Sequence, residues 1–302
     1  MSIQEIVPTA AGRTPATCFE YQRAESWADA VELLGIWDGE AKILAGGQSL
    51  VPMLNLRLAF PGALIDVNPV PAGAPRVEDG SLVIDANTRH RVLTSSEVVR
   101  AHAPMLAHAV RFVGNARVRN RGTFGGSLAH ADPTAEIGCV ALALGAEFDV
   151  LGPEGPRTVA AEDFFITYLT TALGPEEVVT AARLPVGGDA RWGFHEVVRR
   201  YSDFATVSVS VVARPGGAGG QPDLRVVLGG VADRPVLVDR ELLEPALADP
   251  GSPDRARESA EAIAASLEPD TDLHATADYR RRLVAVHTRR LLQQALCEEG
   301  TA

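Results

Sequence analysis

The chain has three cysteines in 302 residues, Cys18, Cys139 and Cys297, and none stands at the spacing of an iron–sulfur or zinc site. A metal centre held by this chain alone is therefore not expected. Cys139 lies in the apolar run 137–144 and reads as a small buried hydrophobe. No stretch approaches the roughly 20 apolar residues of a membrane helix, and no basic-plus-apolar leader opens the chain. Positive charge is in short supply, with 28 Lys and Arg against 39 Asp and Glu and a formal net charge of −11. Such a surface repels nucleic-acid phosphates and anionic lipid. The expectation is a cytoplasmic protein with no nucleic-acid partner and no membrane insertion. Also missing are GxGxxG, GxxxxGK[ST] and HExxH. No Ser/His/Asp set has motif support, so no catalytic residue is named.

What the chain does have is glycine in two telling places. Ala45-Gly46-Gly47-Gln48-Ser49-Leu50 follows the short apolar run Lys42-Ile43-Leu44, and Thr123-Phe124-Gly125-Gly126-Ser127 follows Arg121-Gly122. Paired glycines let the main chain approach a ligand closely, and backbone N–H groups then face anionic oxygens. Two such loops suit the two phosphates of a dinucleotide, although a Gly-Gly pair is also a common plain turn. Ser49 adds a hydroxyl and Gln48 an amide without negative charge.

Residues 26–37 read as an amphipathic helix capped by Ser26 with Asp29, leading through Asp38-Gly39 into a strand at 42–45. Met53, Leu54, Leu56 and Leu58 read as core packing. Strands are expected at 64–67, 82–86, 147–151 and 177–184, and helices at 96–101 and 104–112. A further helix near 134–144 is expected to be capped by Asp132 and stopped by Gly145. Gly187-Gly188 reads as a linker. Strands at 194–200, 206–214 and 224–228 then surround a glycine-rich tip at 216–220, and helices 253–267 and 275–297 follow. The arginines of the last helix, Arg280, Arg281, Arg282, Arg289 and Arg290, read as a solvated face.

The chain resembles the FAD-binding medium subunit of the molybdenum hydroxylases, a family that includes aerobic carbon monoxide dehydrogenase and bacterial xanthine dehydrogenase. The resemblance runs in order through Phe19-Glu20-Tyr21-Gln22-Arg23, the first glycine loop with Val51 to Leu58, Leu64-Ile65-Asp66-Val67, the second loop, Asp163-Phe164-Phe165 and Arg199 to Ala205. It implies an α+β fold: a two-subdomain FAD-binding fold of the vanillyl-alcohol-oxidase (PCMH) type and a C-terminal antiparallel sheet-and-helix domain. The expected division is an N-terminal extension at 1–18, FAD-binding subdomains at 19–60 and 61–186, and a C-terminal domain at 190–302.

The resemblance also implies the site. Ile43, Leu44, Ala45, Gly46, Gly47, Gln48, Ser49 and Leu50 would hold the pyrophosphate from one side, and Thr123, Gly125, Gly126 and Ser127 from the other. Asp132 and Glu136 match positions that reach sugar hydroxyls in relatives, and both also read as helix-start acids. Phe112 and Val179 match apolar contacts to the flavin. Phe204 or Tyr201 is the candidate cover for one face of the ring. His195 stands where some relatives carry lysine, a departure that weakens a charge role there. Arg89-His90-Arg91, Arg111 and the cluster Arg117, Arg119 and Arg121 are basic islands in an acidic chain, and of these Arg119-Asn120-Arg121, directly before the second loop, holds phosphate, fixes that loop or is simply solvated. The implied partners are a large molybdopterin subunit and a small [2Fe-2S] subunit. Electrons would pass through FAD to an external acceptor (NAD, a quinone, a dye or oxygen). The alternatives are a stand-alone FAD-dependent oxidoreductase and a scaffold that has lost its flavin.

Overall fold

The computed structural model describes residues 19–186, 189–216 and 222–296. The N-terminal extension, Cys18, Cys297, the Gly187-Gly188 linker and Gly217 to Gly220 of the glycine-rich tip lie outside the described residues.

Ser26 accepts a hydrogen bond from the Asp29 N–H at 3.0 Å and so caps the helix Trp27–Ile36. The buried Ala30, Val31 and Leu34 of that helix share a core with Ala63 and Ile65 of a small parallel sheet. The sheet is built from strands Glu20–Arg23, Ala41–Leu44 and Ala63–Asp66, with the last in the middle. Between the second and third strands, the segment expected to be core is instead on the surface. Leu50–Asn55 forms a helix with no buried residue, and Leu56, Leu58 and Phe60 are about two-thirds exposed. Among the described residues, Leu56, Leu58 and Phe60 belong to none of the hydrophobic cores.

The central sheet has five antiparallel strands in the order Arg76–Glu78, Ser81–Asp85, Val178–Pro185, Glu147–Gly152, Gly155–Ala160. Helices Pro104–Ala109, Phe124–His130 and Glu136–Leu144 share its core, around Phe124, Phe148 and Phe164. Pro104 sits in the first helical turn and Gly145 ends its helix in the left-handed region at φ 67°, both as read from sequence. Asp132 does not cap that helix. Its Oδ1 accepts from Thr134 N–H at 2.8 Å in a turn beforehand, and the helix begins at Glu136.

The C-terminal sheet is an antiparallel meander of Arg191–Val197, Val207–Arg214, Asp223–Gly229 and Val236–Leu237. The alternation in its second strand produces two covered faces. Val207, Val209 and Val211 share a core with helices Arg240–Ala248, Pro253–Ser266 and Ala277–Leu296. Ser208 points the other way, its Oγ 3.8 Å from Cys139 Sγ. Burial pushes the Cys139 thiol up to about 12, so it stays a neutral packing group. Arg280 departs from the solvated-face reading. It is 7% exposed, and its guanidinium donates to the carbonyls of Thr206 and Gly230 and to Asp272.

Candidate functional site

The two glycine loops, far apart in sequence, meet in space. A Cβ on Gly46 would lie 2.7 Å from Gly122 Cα, and one on Gly126 would lie 3.6 Å from Ala45 Cβ. Only glycine at 46 lets the loops come this close. Beside them is an open cleft of about 490 Å³, lined by Leu44, Ala45, Gly46, Gly47 and Gln48, with Tyr21, Asp66, Asn68 and Arg121.

The loops contribute differently. Gly47 adopts φ 70°, which turns the chain from the strand Ala41–Leu44 into the helix Leu50–Asn55. Among the described residues, the N–H groups of Gly46, Gly47, Gln48 and Ser49 have no protein acceptor, and the Ser49 hydroxyl does not cap the helix that follows. Gln48 folds back, its Nε2 donating to the Gly46 carbonyl at 3.0 Å. A run of unpaired amides at a helix start is an anion-binding arrangement.

The second loop is not a second nest. Its segment is the first turn of the helix Phe124–His130, and its amides are already used. Phe124 N–H donates to Thr88 O at 2.9 Å, Gly125 N–H to Ala86 O at 2.8 Å and Ser127 N–H to Thr123 O at 3.1 Å. Thr123 Oγ1 accepts from Gly126 N–H at 3.2 Å. Gly125 is needed because a Cβ there would press on Ala86, 2.8 Å from its Cα. What this segment offers a ligand is shape and the half-buried Ser127 side chain. His90 supports it from below: Nε2 lies 2.8 Å from Thr123 O, and burial lowers the imidazole to about 4, so it is neutral near pH 7.

The other expected residues are dispersed. Val179 is buried in the central core. Phe112 packs with His108 and Phe194, with ring centroids 5.3 and 5.7 Å away. Phe204 is 77% exposed, on a loop held by Ser202, whose hydroxyl donates to Gly114 O at 2.9 Å. His195 turns to the opposite side of its strand from Phe194 and stacks on His287 of the last helix at 4.2 Å. It is not with the cleft, because strand alternation sends neighbouring side chains to opposite faces.

Glu136, half-buried at its helix start, lies near the buried Glu196. Burial, reinforced by the charge of Glu196, raises Glu136 to about 8, and burial alone raises Glu196 to about 7. The Glu196 Oε2 has no hydrogen-bond partner among the described residues. The ordinary carboxyl value is 4.5, so between about 4.5 and 8 the folded chain keeps protons that the unfolded chain has released. Stability therefore falls as pH rises through that window and levels off above it. Glu136→Gln should flatten the fall and stabilise the protein at pH 8 by on the order of 1–3 kcal/mol. Thermal melts at pH 5 and pH 8 test this, and an unchanged pH slope would count against it.

Sequence reasoning missed Asn68 and treated Arg89 as one of several basic islands. Tyr21 Oη donates to Asp66 Oδ2 at 2.5 Å, and Asn68 N–H donates to Asp66 Oδ1 at 2.9 Å. Burial pushes the Asp66 carboxyl up, but the hydrogen bonds from Tyr21 and Asn68 and the Arg23 charge outweigh it and hold Asp66 below its ordinary value. Among the described residues no group of His, Cys, Asp and Glu could hold a metal ion, and no helix is long and apolar enough to cross a membrane.

Comparison with known proteins places this geometry. Residues 17–187 match the model of the FAD binding domain in molybdopterin dehydrogenase, and residues 192–295 match the CO dehydrogenase flavoprotein C-terminal domain. The chain is 37% identical to the carbon monoxide dehydrogenase medium chain of Hydrogenophaga pseudoflava, over 92% of this chain and 96% of that one. It is also 37% identical to the nicotine 6-hydroxylase medium subunit of Paenarthrobacter nicotinovorans, over 91% and 96%. A solved chain of the Hydrogenophaga pseudoflava enzyme superposes with a TM-score of 0.87 at 36% identity, covering 93% of this chain and 98% of that one.

Proposed function

The chain belongs to the FAD-binding medium subunits of the molybdenum hydroxylases, and on that premise we propose that it is the electron-transfer subunit of such an enzyme. In this reading it receives electrons from the [2Fe-2S] clusters of a small partner subunit and passes them to an external acceptor. Substrate oxidation belongs to a large molybdopterin subunit.

The observation that supports the reading most is the run of unpaired amides from Gly46 to Ser49 beside the cleft. These residues fit FAD: the loop presents N–H donors and no carboxylate of its own where a pyrophosphate would sit. FAD supplies the redox chemistry when bound, and the protein's task is to hold and orient it. The amides of residues 46–49 would take the phosphate oxygens, with Ser127 on the other side. Asp132 and Glu136 would serve the sugar hydroxyls, and Phe112 and the exposed Phe204 the ring, while Val179 stays in the central core. The exposed apolar side chains Leu56, Leu58 and Phe60, on the segment leading away from the cleft, support docking in a larger assembly.

Size-exclusion chromatography of native extract, with mass spectrometry of the flavin-bearing peak, tests the subunit role. The peak should hold this chain with one large and one cysteine-rich partner. A peak of this chain alone, fully active on an organic substrate, would instead make it a stand-alone flavin oxidoreductase.

A further inference from the structure

The two glycine loops come from different units of the fold, so something must fix their mutual position. The side chain of Asn68 lies where it can. Its Nδ2 donates to the Ala45 carbonyl at 2.8 Å, the residue just before Gly46. Its Oδ1 accepts from Arg89 Nη2 at 2.6 Å, and Arg89 Nη1 donates to the Arg121 carbonyl, just before Gly122. The orientation of the Asn68 amide follows from its neighbours. Turned the other way, its oxygen would face the Ala45 carbonyl and the Asp66 carboxylate, and its NH₂ would face a guanidinium. Asp66 anchors the same residue through the Asn68 N–H at 2.9 Å.

We propose that Asn68 is a positioning residue for the phosphate end of the cofactor: with Arg89 it ties the first glycine loop to the second and sets the amides of residues 46–49 in place before FAD enters. The inference rests on the flavin reading above and adds to it the residue that pre-forms the site. A loop already ordered does not have to lose backbone freedom on binding. Arg89 suits the bridge because its planar fork reaches two acceptors at once, which a lysine does not.

The test is FAD titration of the full flavin-free chain, followed by flavin fluorescence, with riboflavin as a second probe that carries the ring but no phosphate. Asn68→Ala and Asn68→Asp should each weaken FAD by about tenfold or more, since a lost half-buried hydrogen bond or an added carboxylate acts directly on the loop. Arg89→Lys should weaken it by less. Riboflavin affinity should change less than about twofold, because the effect is confined to the phosphate end. Asn68→Asp has the shape of the native residue, and it decides the matter if the alanine variant does not fold. FAD affinity within about twofold of wild type in Asn68→Asp would overturn the proposal, as would equal weakening of FAD and riboflavin. Wild-type protein that takes up no FAD would overturn the flavin reading and this inference together, a result distinct from variants that bind as wild type does.

Discussion

Gly46→Val is expected to remove FAD binding while leaving a folded chain. Gly46 is not held at positive φ, so the requirement is one of space. A Cβ there would lie 2.7 Å from Gly122 Cα and 2.9 Å from the Arg121 carbonyl carbon, and main-chain atoms cannot swing aside as a side chain can. Valine adds two more methyl groups to that contact. The first loop would have to lift away from the second, carrying the amides of Gly47 and Gln48 with it. Overpacking and separation of this kind correspond to about a hundredfold loss of affinity or more. Gly126→Val is expected to be milder, because the nearest atom there is the Thr123 hydroxyl, at 2.6 Å. Flavin content measured beside far-ultraviolet circular dichroism checks both. Normal flavin content in Gly46→Val would mean the contact of the loops is not what forms the site.

Arg280→Ala is expected to be the most destabilising substitution of an arginine in the last helix. Its guanidinium donates to two main-chain carbonyls, Thr206 and Gly230, and reaches Asp272 at 2.7 Å. Alanine would leave both carbonyls without this donor and remove the anchor between the long helix and two loop ends of the C-terminal sheet. Asp272 is partly exposed, which limits the penalty on its own charge, so the loss is put at about 2–4 kcal/mol. Arg290→Ala, on the same helix, should cost less than about 0.5 kcal/mol. Urea unfolding midpoints measure the difference. Equal small changes at the two positions would show that burial of Arg280 contributes little.

Much of the architecture was legible because the signals are local. Ser26 with Asp29, Pro104 and Gly145 each fix an element end within a few residues, and the structure uses all of them. The second glycine loop was harder to read. Its Gly-Gly pair looks the same whether the amides are free or committed, and only the packing of Gly125 on Ala86 reveals that they are committed. The apolar run after the first loop misled for a related reason. Hydrophobicity says that a side chain gains from burial, but not whether the partner is inside the same chain. Asn68 lies 23 residues from Ala45, and Arg89 lies 21 from Asn68. Such a network has no spacing to recognise, because it exists only once the units have packed. His195 shows the converse, a residue aligned with a family position whose strand turns it away from the cleft.

The most direct measurement is a titration of the full-length, flavin-free chain with FAD, reading bound flavin per chain and its release on denaturation. One FAD per chain, released intact, is the predicted result, since neither glycine loop contains a His or Cys that could tether it. A chain that takes up no FAD at any concentration would contradict the account at its centre.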